Sequence, residues 1–152
     1  MMSISSKEAI NDIFRSLFHE LSSVEKKVII TEEFKDISNN ELHVIEAIGM
    51  GVDNTMSMVA KKLGITAGTL TTSINNLVNK KYVLRSRGKT DRRKVYISLS
   101  EKGQEAFRQH SVFYKKLTEA LVNSLEQEEV QVLLKSLSGL SSFFKDYRGV
   151  KR

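Results

Sequence analysis

From Ala9 onward the apolar residues fall at Ile10, Ile13, Phe14, Leu17, Leu21, Val24 and Val28. These steps of three and four place them along one face of an amphipathic helix. Ser38, with Glu41 three positions later, has the spacing of a capping box and predicts a second helix from Asn39 to about Ile48. Gly49 and Gly51 then supply its stop. Thr55 caps a short third helix from Met56 to Leu63, ended by Gly64, which can turn left-handed without a Cβ penalty. Thr66 caps a fourth helix, Ala67 to about Lys80. Only Gly64, Ile65 and Thr66 separate the last two, which is the spacing of a helix-turn-helix.

After Lys81 the period drops to two. Tyr82, Val83 and Leu84 begin a strand, and Val95, Ile97 and Leu99 alternate with Tyr96 and Ser98 in a returning one. The hairpin tip between them, Gly88 to Arg93, forms a wing. Beyond Ser100 the helical period returns through Phe107, His110, Phe113, Tyr114, Leu117, Leu121 and Leu125. A break near Leu125 and Glu126 leads to a last helix lined by Val130, Leu133, Leu134, Leu137, Leu140, Phe144 and Tyr147. Glu128 and Glu129 in its first turn favour the positive end of the helix dipole.

The predicted fold is therefore mainly α with a small β-hairpin wing: a winged helix-turn-helix plus a helical dimerisation region. The chain, 1–152, reads as one domain, with a winged lobe over 39–100 and dimerisation helices over 5–28 and 101–148. The end helices carry more apolar surface than a compact winged lobe can cover. The expectation is that they pack together and against a second copy in a symmetric homodimer.

Leu70, Ile74 and Leu77 share the inner side of the fourth helix. At about 100° per residue, Gly68, Thr72, Asn75 and Asn79 point the other way, with Thr69, Thr71 and Asn76 on the flanks. Seven of the eleven residues from Thr66 to Asn76 are Thr, Ser or Asn. A face that was only solvated would normally carry Glu and Lys, which are better helix formers. Charge sharpens the picture. Between Asn79 and Lys94 stand eight Lys or Arg residues against the single Asp91, a net +7, whereas the whole chain is +6. A hydroxyl- and amide-rich helix next to a cationic hairpin suits double-stranded DNA: the helix offers groups to base edges and the hairpin offers cations to phosphates.

Composition removes several classes. The chain has no Cys, which excludes disulfides, thiolate metal sites and a cysteine-based peroxide sensor. It has no Pro, in keeping with a mostly helical chain. The opening MMSISSKEAINDIF lacks a basic region followed by an apolar run, and no stretch approaches the ~18 apolar residues of a spanning helix. The expected location is cytoplasmic, with no membrane partner. His19, His43 and His110 are the only histidines, and no nucleophile motif or Gly-rich phosphate loop accompanies them, so neither catalysis nor a bound cofactor is expected.

The segment DRRKVYISLSEKG, Asp91 to Gly103, resembles the wing signature of the MarR family of bacterial regulators: roughly Asp-x-Arg, then alternating apolar residues, Leu-Thr and Gly. FKDISNNELHVIEAIG (Phe34 to Gly49) and ITAGTLTTSINNL (Ile65 to Leu77) look most like its FabT-type repressors of fatty-acid biosynthesis. The resemblance implies DNA contacts from Thr71 and Thr72, with Thr66, Gly68, Thr69, Asn75 and Asn76 around them. It implies that Arg93 reaches into the minor groove at the wing tip while Asp91 orients it. A guanidinium suits a narrow minor groove of enhanced negative potential. Arg92, Lys89 and Lys94 then meet phosphates. Many relatives pair an Asp at the start of the recognition helix with an Arg ten residues on; here those places hold Thr66 and Asn76.

In such relatives the effector pocket lies between the winged lobe and the dimer helices, which makes Phe14, Phe18, Ile45, Ile48, Phe107 and Phe113 candidate lining. The FabT-type resemblance implies an acyl chain on acyl carrier protein as co-repressor. The competing reading is a regulator answering another small phenolic or lipophilic ligand, or a metal such as zinc. Glu41, His43 and His110 are the candidate metal ligands, but Tyr114 stands one turn past His110, where a second His would complete an i, i+4 pair. No metal site is therefore expected. An architectural DNA-binding module without a ligand is the third possibility.

Overall fold

The computed structural model describes residues 3–29, 31 and 33–150. Helix α1 spans Ile4–Ile29, α2 Asn39–Ile48, α3 Met56–Leu63, α4 Ala67–Asn79, α5 Glu101–Val122 and α6 Gln127–Val150. Strands β1 (Asn54–Thr55), β2 (Val83–Arg87) and β3 (Val95–Leu99) form an antiparallel sheet in the order β1-β3-β2. The chain divides within α5 into two compact units, Met1–Val112 and Phe113–Arg152.

In the first unit each helix starts and stops for a local reason. Ser38 accepts the Glu41 N–H at 3.2 Å while the Glu41 carboxylate accepts the Ser38 N–H at 2.8 Å, completing the capping box. Thr55 accepts from Met58 N–H and Thr66 from Thr69 N–H, each at 3.2 Å. Gly64, at φ 64° and ψ 35°, ends α3 in the left-handed conformation and turns the chain into α4. Helix α1 begins a turn and a half before the first apolar residue of its stripe, with Ser3 accepting the Ser6 N–H.

The core of this unit joins α2, α3, α4 and the sheet. Phe34, Leu42, Ile45, Ile48, Val59, Leu70, Ile74, Leu77, Tyr82, Val83 and Ile97 are all essentially sealed from solvent. Strand β1 was not expected from the sequence. It pairs Asn54 with Ile97 and Thr55 with Tyr96, so the residue that caps α3 also ties that helix to the wing. Strand β2 runs on to Arg87, pairing Val83 with Leu99 and Arg87 with Val95.

A polar knot fastens the end of α4. Lys80 Nζ donates to both Glu41 carboxylate oxygens at 2.9 Å and to the Asp36 carbonyl at 2.6 Å. The buried Tyr82 hydroxyl donates to Asp36, and Lys102 lies 4.3 Å from the centre of its ring. Burial, then the Asp36 hydrogen bond and neighbouring carboxylates, push the Tyr82 phenol well above its ordinary pKa, so it stays a donor. Lys81 adopts a positive φ of 73°, and Ser100 donates from Oγ to its carbonyl. Gly103 then lets α5 press against the chain: a Cβ there would lie 2.1 Å from the Tyr82 carbonyl oxygen.

The second unit consists of the end of α5 and α6. Glu126 N–H donates to the Glu129 carboxylate at 2.8 Å and starts α6 beside the predicted break. Leu117, Leu121, Leu134, Leu137, Phe143, Phe144 and Tyr147 are all largely exposed, as are Ile13, Phe14, Leu17 and Phe18 on α1. Among the described residues no helix is long and apolar enough to cross a membrane.

Candidate nucleic-acid interface

Helix α4 contains no charged residue, and its burial follows the predicted division. Leu70, Ile74 and Leu77 are buried, while Gly68, Thr69, Thr71, Thr72, Asn75 and Asn76 are exposed. The hydroxyls are partly engaged by the helix itself. Thr66 serves as the N-cap, and its Oγ1 lies 2.8 Å from that of Thr69. Thr71 and Thr72 donate to the carbonyls of Ala67 and Gly68, at 2.8 and 3.3 Å. With their hydrogens turned inward, both present a methyl and acceptor lone pairs outward. A Cβ on Gly68 would meet nothing within 4 Å, so this face of the first turn is open.

The wing tip is a short polar turn. Gly88 N–H donates to the Lys94 carbonyl at 2.9 Å and Lys94 N–H to the Asp91 carbonyl at 3.2 Å. Gly88 is required by close approach, because a Cβ would lie 2.5 Å from the Asp91 carbonyl oxygen. Asp91 Oδ1 accepts the Arg93 backbone N–H at 3.0 Å and stands 3.7 Å from Arg93 Nε. The Arg93 side chain is 96% exposed, held at its base and free at its end. Lys89, Arg92 and Lys94 are exposed beside it.

One contact between helix and wing was not legible in the sequence. Arg85 Nη2 on β2 donates to Asn75 Oδ1 on α4 at 2.5 Å. Arg85 also borders an open hollow of about 230 Å³ with Met56, Ser57, Ala67, Thr71 and Val95. In the sequence Arg85 is only one of eight basic residues in its segment. The signal available was strand alternation, which places Arg85 and Arg87 on one side of β2.

A family profile described as transcriptional regulator SarA/Rot matches residues 26–110. The DNA complex of Streptococcus pneumoniae FabT is similar to this chain at 38% identity with a TM-score of 0.84, covering 93% of this chain and 99% of that one. The chain belongs to the SarA/Rot family of MarR-like winged-helix transcriptional regulators. Among curated relatives, the HTH-type transcriptional regulator PchR of Bacillus subtilis is similar to this chain at 25% identity over 154 residues, 93% of this chain and 90% of that protein. The Staphylococcus aureus MepR–DNA complex, at 24% identity and TM-score 0.69 over 89% of this chain and 97% of that one, shares the fold. The family assignment agrees with the expected MarR resemblance and with a mainly helical winged fold. The matched family and PchR are both regulators of transcription.

The candidate effector residues differ in burial. Ile45 and Ile48 are sealed in the core of the first unit, where a ligand would reach them only by displacing that core. Phe107 packs against the same core, Phe14 and Phe18 lie exposed on α1, and Phe113 belongs to the second unit, where its ring meets Tyr114 edge-on. Of the candidate metal residues, Glu41 stands apart from the two histidines. Glu41 is occupied by its capping box and Lys80. His43 and His110 instead share Glu46, at 3.3 and 2.5 Å, with Glu25 placed 3.7 Å from the far side of the buried His110 ring. Burial raises the Glu46 carboxyl, but hydrogen bonds and charge from His110, then from His43, outweigh it and hold the carboxyl below its usual range.

Proposed function

We propose that this protein is a sequence-specific, DNA-binding repressor acting as a homodimer on a pseudo-palindromic operator. One observation carries the reading: an exposed, charge-free face of Thr and Asn on α4 stands next to a cationic wing, in a chain 38% identical to a FabT solved with DNA. Thr66, Gly68, Thr69, Thr71, Thr72, Asn75 and Asn76 face base edges. Arg93, oriented by Asp91, enters the minor groove, and Lys89, Arg92 and Lys94 meet phosphates. The uncovered apolar stripes of α1 and of α6 support dimerisation, since surfaces this apolar are seldom left to water. A two-fold dimer would set its recognition helices about 34–36 Å apart, in successive major grooves.

The FabT likeness also supports control of fatty-acid biosynthesis genes, with acyl-acyl carrier protein as co-repressor. The exposed Phe14 and Phe18 would supply apolar surface to an acyl chain. The test is a fluorescence-anisotropy titration on a palindromic duplex from a fatty-acid-synthesis promoter, with and without long-chain acyl carrier protein. Tighter binding with the acyl carrier is expected. Specific binding that ignores it would discard the lipid assignment and leave the repressor.

A second reading, a small phenolic or lipophilic effector, is favoured by an open groove of about 450 Å³ lined by Asn40, His43, Val44, Leu63, Ile65, Thr69 and Ser73. Its size falls in the range of small-molecule sites, and it abuts the recognition helix. Crystals soaked with such ligands, or chemical-shift changes at Thr69 and Ser73, would reveal occupancy.

A further inference from the structure

The contact between Arg85 and Asn75 fixes more than geometry. A guanidinium has only N–H donors, so the Asn75 atom facing Arg85 at 2.5 Å is the amide oxygen by chemistry. Turning the amide over would set its NH₂ against the cation, which removes the ambiguity that normally attends an asparagine side chain. Both residues are exposed, on the outer face of α4 and on the adjoining strand.

An unrestrained Asn in the major groove commonly pairs with adenine, accepting from the N6 amino group while donating to N7. Here the acceptor is already held by a cation. An adenine or cytosine amino group brought to Asn75 would present its own hydrogens to the guanidinium. Guanine offers two acceptors, N7 and O6, on the same edge, and both are attracted to an amide NH₂ beside a positive charge.

We propose that Arg85 is a positioning residue that sets the base preference of Asn75, making it a reader of guanine rather than adenine. This rests on the DNA-binding reading above. Arg85 acts through Asn75 and is distinct from the phosphate-facing wing cations Lys89, Arg92 and Lys94, which carry affinity without sequence information.

The test is an operator selection from randomised duplexes with the full-length protein, followed by anisotropy on single-base variants. Asn75→Ala identifies the base pair that Asn75 reads, as the position whose preference it flattens. At that position the wild type should select guanine, and Arg85→Met should move the preference to adenine by roughly ten-fold. Arg85→Lys keeps a donor and a positive charge and should retain guanine. Lys89→Gln should weaken all sequences alike. Guanine preference that survives Arg85→Met, adenine preference in the wild type, or no position flattened by Asn75→Ala would each overturn the proposal. Absence of any sequence selectivity in the wild type would be a different failure, removing the DNA-reading function together with it.

Discussion

Lys80, the residue that ends α4, places its ammonium 2.9 Å from each carboxylate oxygen of Glu41, thirty-nine residues earlier in the chain. The same carboxylate accepts the Ser38 N–H, so one acid both starts α2 and anchors the end of α4. Glu41 is nearly buried and Lys80 about a third exposed. Glu41→Ala should therefore cost about 2–3 kcal/mol of folding stability, measured by urea denaturation. Glu41→Gln, which can still accept from Ser38, should cost clearly less. Equal losses would show that the charge of Glu41 carries the whole effect and that the cap contributes nothing beyond it.

Two glycines should respond in opposite directions. Alanine is the better helix former by about 1 kcal/mol, so Gly68→Ala on the open first turn of α4 should raise the melting temperature. The same change should weaken operator binding if DNA approaches that turn closely. Gly103→Ala forces a Cβ to within 2.1 Å of the Tyr82 carbonyl and should destabilise by about 1–3 kcal/mol despite the gain in propensity. A neutral Gly103→Ala would mean that α5 does not press on this turn.

Much of the winged unit was legible because its signals are local. Ser38 with Glu41, Thr55, Thr66 and Gly64 each mark a boundary within four residues of the bond they make. Strand β1 was not legible: two residues show no alternation, and its partner Ile97 lies forty-three positions away. The first helix, expected over 5–28, runs over Ile4–Ile29. Of the site, the polar face of α4 and the wing cations were readable by periodicity and charge. The link between Arg85 and Asn75 was not, because it depends on where β2 leaves α4, after the positive-φ turn at Lys81.

Glu46 supplies a pH prediction. Its carboxyl is held below the usual 4.5, so its contribution to stability is present above that value and is lost as pH falls through the lower folded value. Glu46→Gln should therefore flatten part of the acid limb of the stability curve below about pH 4.5. The groups facing it are His110 and His43, with Glu25 beyond the His110 ring. Parallel curves for the two proteins, measured by denaturant midpoint across pH 3–6, would remove Glu46 from this account.

Thr72→Ala removes an outward acceptor from the reading face and should alter sequence preference by about 1–3 kcal/mol at one base pair. Arg93→Ala should instead lower affinity most on operators with A·T-rich flanks, where the minor groove is narrow. Competition titrations with base-substituted duplexes measure both. A uniform loss in both variants would abolish the division between readers and anchors.

The division of labour between α4 and the wing is tested most directly by anisotropy titrations of wild type and Lys89→Gln across a salt series, on the selected operator and on a scrambled duplex. Log affinity should fall linearly with log salt, with slope about −0.9 per phosphate contacted. Lys89→Gln should make that slope shallower by about one and leave the operator-to-scrambled ratio unchanged. A flat salt dependence, or a ratio that collapses with Lys89, would contradict the assignment of affinity to the wing and sequence reading to the helix.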